Sequence, residues 1–267
     1  MPRTIFFAWH LDTPSDANKK FIWDALIISA RNAAVDSQPE LSPRAESDTQ
    51  GVPGTPNIVE TIFKRIQQCA AFVADISFVG ATAGGKKLPN PNVLIELGFA
   101  ARSIGWERTI LVMNSAYGSA TELPFDILQH RWPIEYRLTD HTQVRDKRFA
   151  ALSEAFSEAL ADCEQFTLSR AAERAAVLDT ACLDFVAHNA GASHIEIPLP
   201  AMTMGQVLTG LQQNLAVRRL MDLGALTIVT EPGVGYAWTY DGRRMIDEVN
   251  KLHPMLLAKL RLHSLPK

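Results

Sequence analysis

Apolar residues fall along this chain in two rhythms. Short continuous runs alternate with longer stretches in which apolar positions recur every three or four residues. Thr4 to Trp9, Ala70 to Ile76 and Thr109 to Met113 are the runs. A run of that length, bounded by polar or turn-forming residues, reads as a parallel strand covered on both faces. The first helical pattern is capped by Ser15 or Asp16 and places Phe21, Ile22, Ala25, Leu26 and Ile28 along a helix to about Ala34. Asn57 to Gln68 sets Ile58, Ile62, Phe63 and Ile66 on one face. Asn90 to Gly105 carries both a start and a stop: Asn90 as N-cap, Pro91 at the first helical position, Gly105 to close the helix in a left-handed conformation. Val93, Leu94, Leu97, Ala100, Ala101 and Ile104 form its apolar stripe, widened by Ile95 and Phe99, so the helix is expected to be covered on most sides. The connections are an Asp36–Pro56 loop, with a short strand near Arg44 to Glu46, and a flexible Gly-containing loop from Ser77 to Pro89. An edge strand over Arg131–Tyr136 and a helix over Phe149–Cys163 close this half.

Strands alternating with helices predict an α/β domain with a parallel sheet over residues 1–166. Ligands of such sheets sit beyond the carboxyl ends of the strands. That places Trp9 to Asp12, Asp75 to Ser77 and Asn114 to Tyr117 around a crevice, with Glu96 pointing into it. The pattern then changes over residues 167–267. A long helix spans Arg170–Asn189, a short strand follows at His194–Ile197, and Met202–Leu223 reads as two short helices. Two β-type runs flank Pro232-Gly-Val-Gly235 as a hairpin, and a last helix starts near Asp241. That order, with Arg218-Arg-Leu-Met-Asp-Leu-Gly-Ala-Leu and Thr239-Tyr-Asp-Gly-Arg-Arg, closely resembles winged helix-turn-helix domains.

Composition narrows the classes. A chain of 267 residues with 47% hydrophobic and 21% charged residues can bury real cores. A net charge of -3 gives no global drive towards nucleic acid or membranes. Cys69, Cys163 and Cys182 have no metal-ligand spacing and are expected to be reduced, packed thiols. No run reaches membrane-span length, and Ile5 to Trp9 is too short for a signal-peptide core, so a cytoplasmic chain with no membrane partner is expected.

The first half lacks Gly-x-Gly-x-x-Gly, the P-loop pattern, Cys-x-x-Cys, His-x-x-x-His and Gly-x-Ser-x-Gly. Carboxylates and hydrogen-bonding side chains remain, a set suited to chemistry at a sugar carbon. Glu96 is the only acid of its apolar helix. It either pairs with Arg102 or Arg108 or faces a cavity; the helix N-terminus favours its ionised form and burial opposes it. His10, at a strand end, either lines the crevice or is packed or exposed.

Asn90-Pro-Asn-Val-Leu-Ile-Glu-Leu-Gly-Phe-Ala resembles the Asn-Val-x-x-Glu-Leu-Gly segment of bacterial TIR-like (Toll/interleukin-1 receptor-like) nucleotide-binding proteins, relatives of the nucleoside 2-deoxyribosyltransferases. Phe6-Phe7-Ala8-Trp9, Asp48-Thr-Gln-Gly-Val-Pro-Gly-Thr-Pro and Phe72-Val-Ala-Asp-Ile-Ser precede that segment, and Ile110-Leu-Val-Met-Asn follows it, so the likeness covers roughly residues 4 to 137. The resemblance implies a flavodoxin- or TIR-like fold, with Glu96 cleaving an N-glycosidic bond. It would engage the ribose next to nicotinamide in NAD, or attack a deoxyribose covalently in a transferase. NAD would be the substrate, with no cofactor or metal. Asp48 and Thr49 would bind ribose or phosphate or form a turn. Asp75 and Ser77 would line the ligand or cap a loop, as would Asn114 at the next strand end. Trp9 would stack on a base or pack in the core, Lys86 and Lys87 would meet phosphates or be a solvated pair, and Asn92 would orient Glu96. A bacterial defence effector, a homo-oligomer when active, is the implied role. A deoxyribosyltransferase, or a nucleotide-sensing transcriptional regulator without catalysis, stands beside it. In the second half, Arg218 and Arg219 would contact nucleic acid from the recognition helix. Ten Lys/Arg against nine Asp/Glu from Arg170 onward leave a protein partner as the equal alternative.

Overall fold

The structure, a computed structural model, describes residues 4–35, 58–139, 145–196, 204–229 and 234–254. The strand expected near Arg44 to Glu46 lies outside the described residues, as do Asp48, Thr49 and the turn at Pro232–Gly233. The chain divides into two compact units, Met1–Glu164 and Gln165–Lys267.

In the first unit, β1 (Ile5–Ala8), β2 (Ala71–Asp75), β5 (Thr109–Asn114) and β6 (Ile134–Tyr136) form one parallel sheet in that order. Ile5 pairs with Ala71, Phe72 with Thr109 and Val112 with Ile134. The side-chain period of two divides the strands between two cores. Ile5, Phe7, Val73, Ile110 and Val112 face α1 (Lys19–Val35) and the first part of α5 (Arg145–Ala176), where Phe21, Ile22, Leu152 and Phe156 meet them. Phe6, Ala8, Phe72, Ala74, Leu111 and Met113 face α2 (Ile58–Gln68) and α3 (Pro91–Ser103), through Ile66, Val93, Leu97 and Ala100. Runs apolar at every position thus serve a sheet with helices on both faces.

Several elements differ from expectation. Residues 77–89 are not simply a loop: β3 (Phe78–Ala81) pairs antiparallel with β4 (Lys87–Pro89), and Gly85 takes the turn at φ +82°. Helix α1 starts at Lys19, because Pro14 to Asn18 form turns in which the Ala17 and Asn18 N–H groups donate to the Pro14 carbonyl. Helix α3 is not covered on most sides: Ile95 is 60% exposed, and Asn92 and Gly98 are exposed too. Only Val93, Leu97, Ala100 and Ile104 are fully buried, one stripe on the sheet side. Helix α5 runs unbroken for 32 residues, since no Gly or Pro interrupts it.

The caps read from sequence are present. Asn90 Oδ1 accepts from the N–H groups of Asn92 and Val93, and Gly105 has φ +89°. A short α4 (Phe125–Leu128) lies between β5 and β6.

In the second unit, α6 (Thr180–Asn189) is capped by Asp179, whose Oδ1 accepts from Cys182 N–H. α7 (Met204–Asp222) is one helix where two short ones were expected. Gly210 sits within it at a cost of only about 1 kcal/mol relative to Ala, too little to force a break. β7 (Leu226–Val229) and β8 (Gly235–Trp238) pair antiparallel, Ile195 bridges to Tyr236, and α8 (Tyr240–Leu252) follows. Phe185, Val186, Ile195, Val217, Leu220, Trp238, Met245 and Val249 share one core. All three cysteines are free and buried, and burial pushes Cys69 up to about 12 and Cys163 up to about 11. Among the described residues no helix is long and apolar enough to cross a membrane.

Candidate functional site

The two faces of the sheet define where a ligand crevice belongs. The chain leaves β1 for α1 on one face and leaves β2 for α3 on the other. In parallel sheets, ligands bind beyond the carboxyl ends of adjacent strands whose connections leave on opposite faces. The side chains there are His10 and Asp12 after β1, Asp75 at the last position of β2 and Ser77 just beyond it.

At these strand ends lies a buried polar network. Asp75, Ser77, Asn18 and Asn114 are all fully buried. The Ser77 N–H donates to Asp75 Oδ1 (3.0 Å), and Asn18 Nδ2 donates to Ser77 Oγ (3.0 Å) and Asp75 Oδ2 (3.4 Å). Asn114 Nδ2 donates to Asn18 Oδ1 (3.1 Å) and to the Leu138 carbonyl (2.7 Å). Asn114 Oδ1 accepts from Leu138 N–H (3.0 Å) and Ala116 N–H (3.1 Å). Tyr136 Oη donates to the Ala17 carbonyl (2.9 Å), and its phenol is raised far above the usual range, chiefly by burial and then by the Asp75 charge. The network therefore fastens the ends of β2, β5 and β6 to the turn before α1. Asp75, Ser77 and Asn114 come together as expected, but as one another's partners. Asn18 is the member sequence reasoning missed. It lies in a turn with no periodic or motif signal, and only the fold brings it beside residues 57 and 59 positions away.

Closer to solvent, Asp12 Oδ2 accepts from Asn90 Nδ2 (2.7 Å), tying the loop after β1 to the N-cap of α3. Lys19 Nζ lies 3.2 Å from the centre of the Trp9 ring, so that face of the indole is already covered by a cation. Tyr117, after β5, is raised by burial and by the Asp75 charge. Lys87 is paired with Glu122 (3.0 Å), while Lys86 is exposed.

Glu96 stands apart from this network. It shares a flank of α3 with Asn92 and Phe99, three or four residues away on the helix surface. Phe99 stacks on Phe63 of α2 with centroids 4.0 Å apart, so this flank borders α2. Glu96 is half-buried and has no hydrogen-bond or ion-pair partner among the described residues. Burial pushes its carboxyl up to about 7. Arg108, a partner considered for it, instead donates from Nη1 to the Cys69 carbonyl and from Nε to the Ile104 carbonyl. Asn92 is exposed, and its backbone N–H is the group used by the cap. A half-buried carboxyl titrating near neutrality can carry a proton or a charge to a bound group.

In the second unit, Arg218 and Arg219 are both exposed on α7, and Arg219 forms an ion pair with Asp179. No family model matches the chain, and no curated protein matches it in sequence.

Proposed function

We propose that the chain is an NAD glycohydrolase of the TIR-like kind, with Glu96 as its catalytic carboxylate. One observation carries the reading: an unpartnered, half-buried carboxyl, raised to about 7, on the helix that follows β2 of a parallel sheet wound on both faces. An acid kept in that state lowers stability, and ligand chemistry is a reason to keep it. In its ionised form Glu96 faces the ribose of NAD and stabilises positive charge growing on C1′. The bond from C1′ to nicotinamide breaks, and nicotinamide leaves with the electron pair. Water adds to C1′ and gives up a proton, so the products are ADP-ribose, nicotinamide and a proton.

We also read the second unit as a winged-helix module that regulates the first by assembly or ligand sensing. The order of α6, the Ile195 bridge, α7, the β7–β8 hairpin and α8 supports it. The unbroken α7 departs from a helix-turn-helix inside Met202–Leu223, so the α6–α7 pair would have to supply that motif.

The test is product analysis. The purified chain is incubated with NAD and with a deoxynucleoside plus a free base, with and without nucleic acid. Nicotinamide release that Glu96→Gln abolishes is the expected result. Base exchange on the deoxynucleoside would instead make the chain a transferase, and nucleotide bound but unconsumed would make it a sensor.

A further inference from the structure

His10 occupies an unusual position between two acids. Its side chain is 1% exposed; Nε2 lies 3.5 Å from Asp75 Oδ2 and Nδ1 lies 3.7 Å from Asp12 Oδ2. Neither ring nitrogen makes a hydrogen bond among the described residues. A neutral imidazole has one N–H and one lone pair, so in either tautomer a lone pair faces a carboxylate oxygen. The imidazolium presents N–H to both. Asp75, with no exposed surface, receives donors from Ser77 and Asn18, yet an ionised buried carboxylate is costly without a counter-charge. Among the described residues, the other titratable groups nearby do not supply one. Tyr117 and Tyr136 are phenols held protonated, and Lys19 lies over the Trp9 ring.

Asp12 faces outward as well as inward. The same Oδ2 that lies near His10 accepts from Asn90 Nδ2. Asn90 Oδ1 in turn accepts from the Asn92 and Val93 N–H groups and so starts α3. Glu96 lies one turn further along.

We infer that His10 is a proton-operated clasp: its doubly protonated ring ties Asp75, at the end of β2, to Asp12, and through Asn90 it holds the first turn of α3, which positions Glu96. His10 and Asp12 are positioning residues. The clasp stands on contacts within the fold, and only its effect on turnover rests on the proposed NAD cleavage. The clasp closes when the His10 ring gains its second proton and opens when it loses it.

Two measurements on the full chain decide it. Nuclear magnetic resonance follows the His10 ring nitrogens and the Asn92 and Val93 amides through a pH series. The ring should pass from imidazolium to neutral, and both amide shifts should move with the same midpoint. In Asp12→Asn, which changes a half-exposed side chain, the ring should still titrate while the amide response disappears; His10→Gln should abolish the step altogether. A ring neutral throughout, or amides indifferent to its titration, overturns the clasp. In the second measurement, Asp12→Asn should lower kcat for NAD roughly ten- to a hundredfold with KM little changed, as misplacement of a catalytic group does. Unchanged kcat in a chain that cleaves NAD overturns the positioning role. Absence of NAD cleavage in the wild type sinks the proposed reaction alone, since resonance still decides the clasp.

Discussion

At the scale of single residues, a satisfied polar network contrasts with Glu96, an acid with no partner among the described residues. Glu96 shows the cost. Its proton is held more tightly in the folded chain than at the ordinary value of 4.5, since burial raises it to about 7. The folded state therefore binds more protons than the unfolded state between those values, and stability falls as pH rises from about 4.5 to about 7. At pH 8 Glu96→Gln should melt higher than wild type, by on the order of 1–2 kcal/mol after discounting for its partial exposure, while losing NAD cleavage. In Asp12→Asn, where the His10 clasp no longer reaches α3, the rate of the proposed cleavage should rise with pH along an acid limb near pH 7, because that reaction uses the ionised carboxylate; in the wild type, loss of the His10 proton opens the clasp and opposes that rise. A melting difference of zero together with a flat pH–rate profile would make Glu96 an ordinary surface acid. Asn114 has the opposite character. Asn114→Ala leaves the Leu138 and Ala116 N–H groups and Asn18 Oδ1 without their partner in a buried site. The expected loss is about 2–4 kcal/mol in urea denaturation. A loss under 0.5 kcal/mol would mean that water replaces the side chain.

At the scale of elements, legibility followed the range of the signal. Strands β1, β2 and β5 announce themselves as apolar runs, and the Asn90 cap and Gly105 stop of α3 are marked by residues whose geometry is local. The β3–β4 hairpin was hidden because its pairing depends on Phe78 being covered next to the sheet, although Gly85 marks its turn. The breadth of the α3 stripe misled for a related reason: Ile95 and Phe99 look like core, yet Ile95 faces solvent and Phe99, stacked on Phe63 of α2, is only partly buried against the core. The Asn18–Asp75–Asn114 network was half legible. Strand ends nominate Asp75 and Asn114, while Asn18 requires the tertiary fold. Gly242 makes the same point in the second unit. A Cβ there would collide with the Ala225 carbonyl oxygen and lie 2.8 Å from its carbon, where α8 passes the start of β7. Because backbone rather than a flexible side chain is in the way, Gly242→Ala should destabilise the second unit by at least about 2 kcal/mol. Amide exchange should show the loss in β7, β8 and α8 and leave β1, β2 and β5 protected. Equal loss in both units would mean that they unfold as one.

At the scale of the whole molecule, the charges of the second unit say how a nucleic acid would meet it. From Arg170 onward ten Lys/Arg face nine Asp/Glu, so no broad basic field draws a polyanion in. Binding would rest on a few placed cations. Arg218 and Arg219 are neighbours on α7 and look equivalent in sequence, but they are not equivalent in the fold. Arg219 is engaged with Asp179, the residue that caps α6, whereas Arg218 is exposed with no ion pair among the described residues. Meeting a phosphate would cost Arg219 its existing partner, whereas Arg218 has none to give up among the described residues. Duplex binding by the full chain should fall with salt, at a log–log slope of about -0.9 per neutralised phosphate. Arg218→Ala should flatten that slope by about one, and Arg219→Ala should leave it nearly unchanged while lowering the stability of the second unit by up to about 1 kcal/mol through the lost pair. Equal effects of the two substitutions on the slope would mean that the Asp179 pair opens on binding. Undetectable binding at low salt would assign this face to a protein partner or to a second copy of the chain.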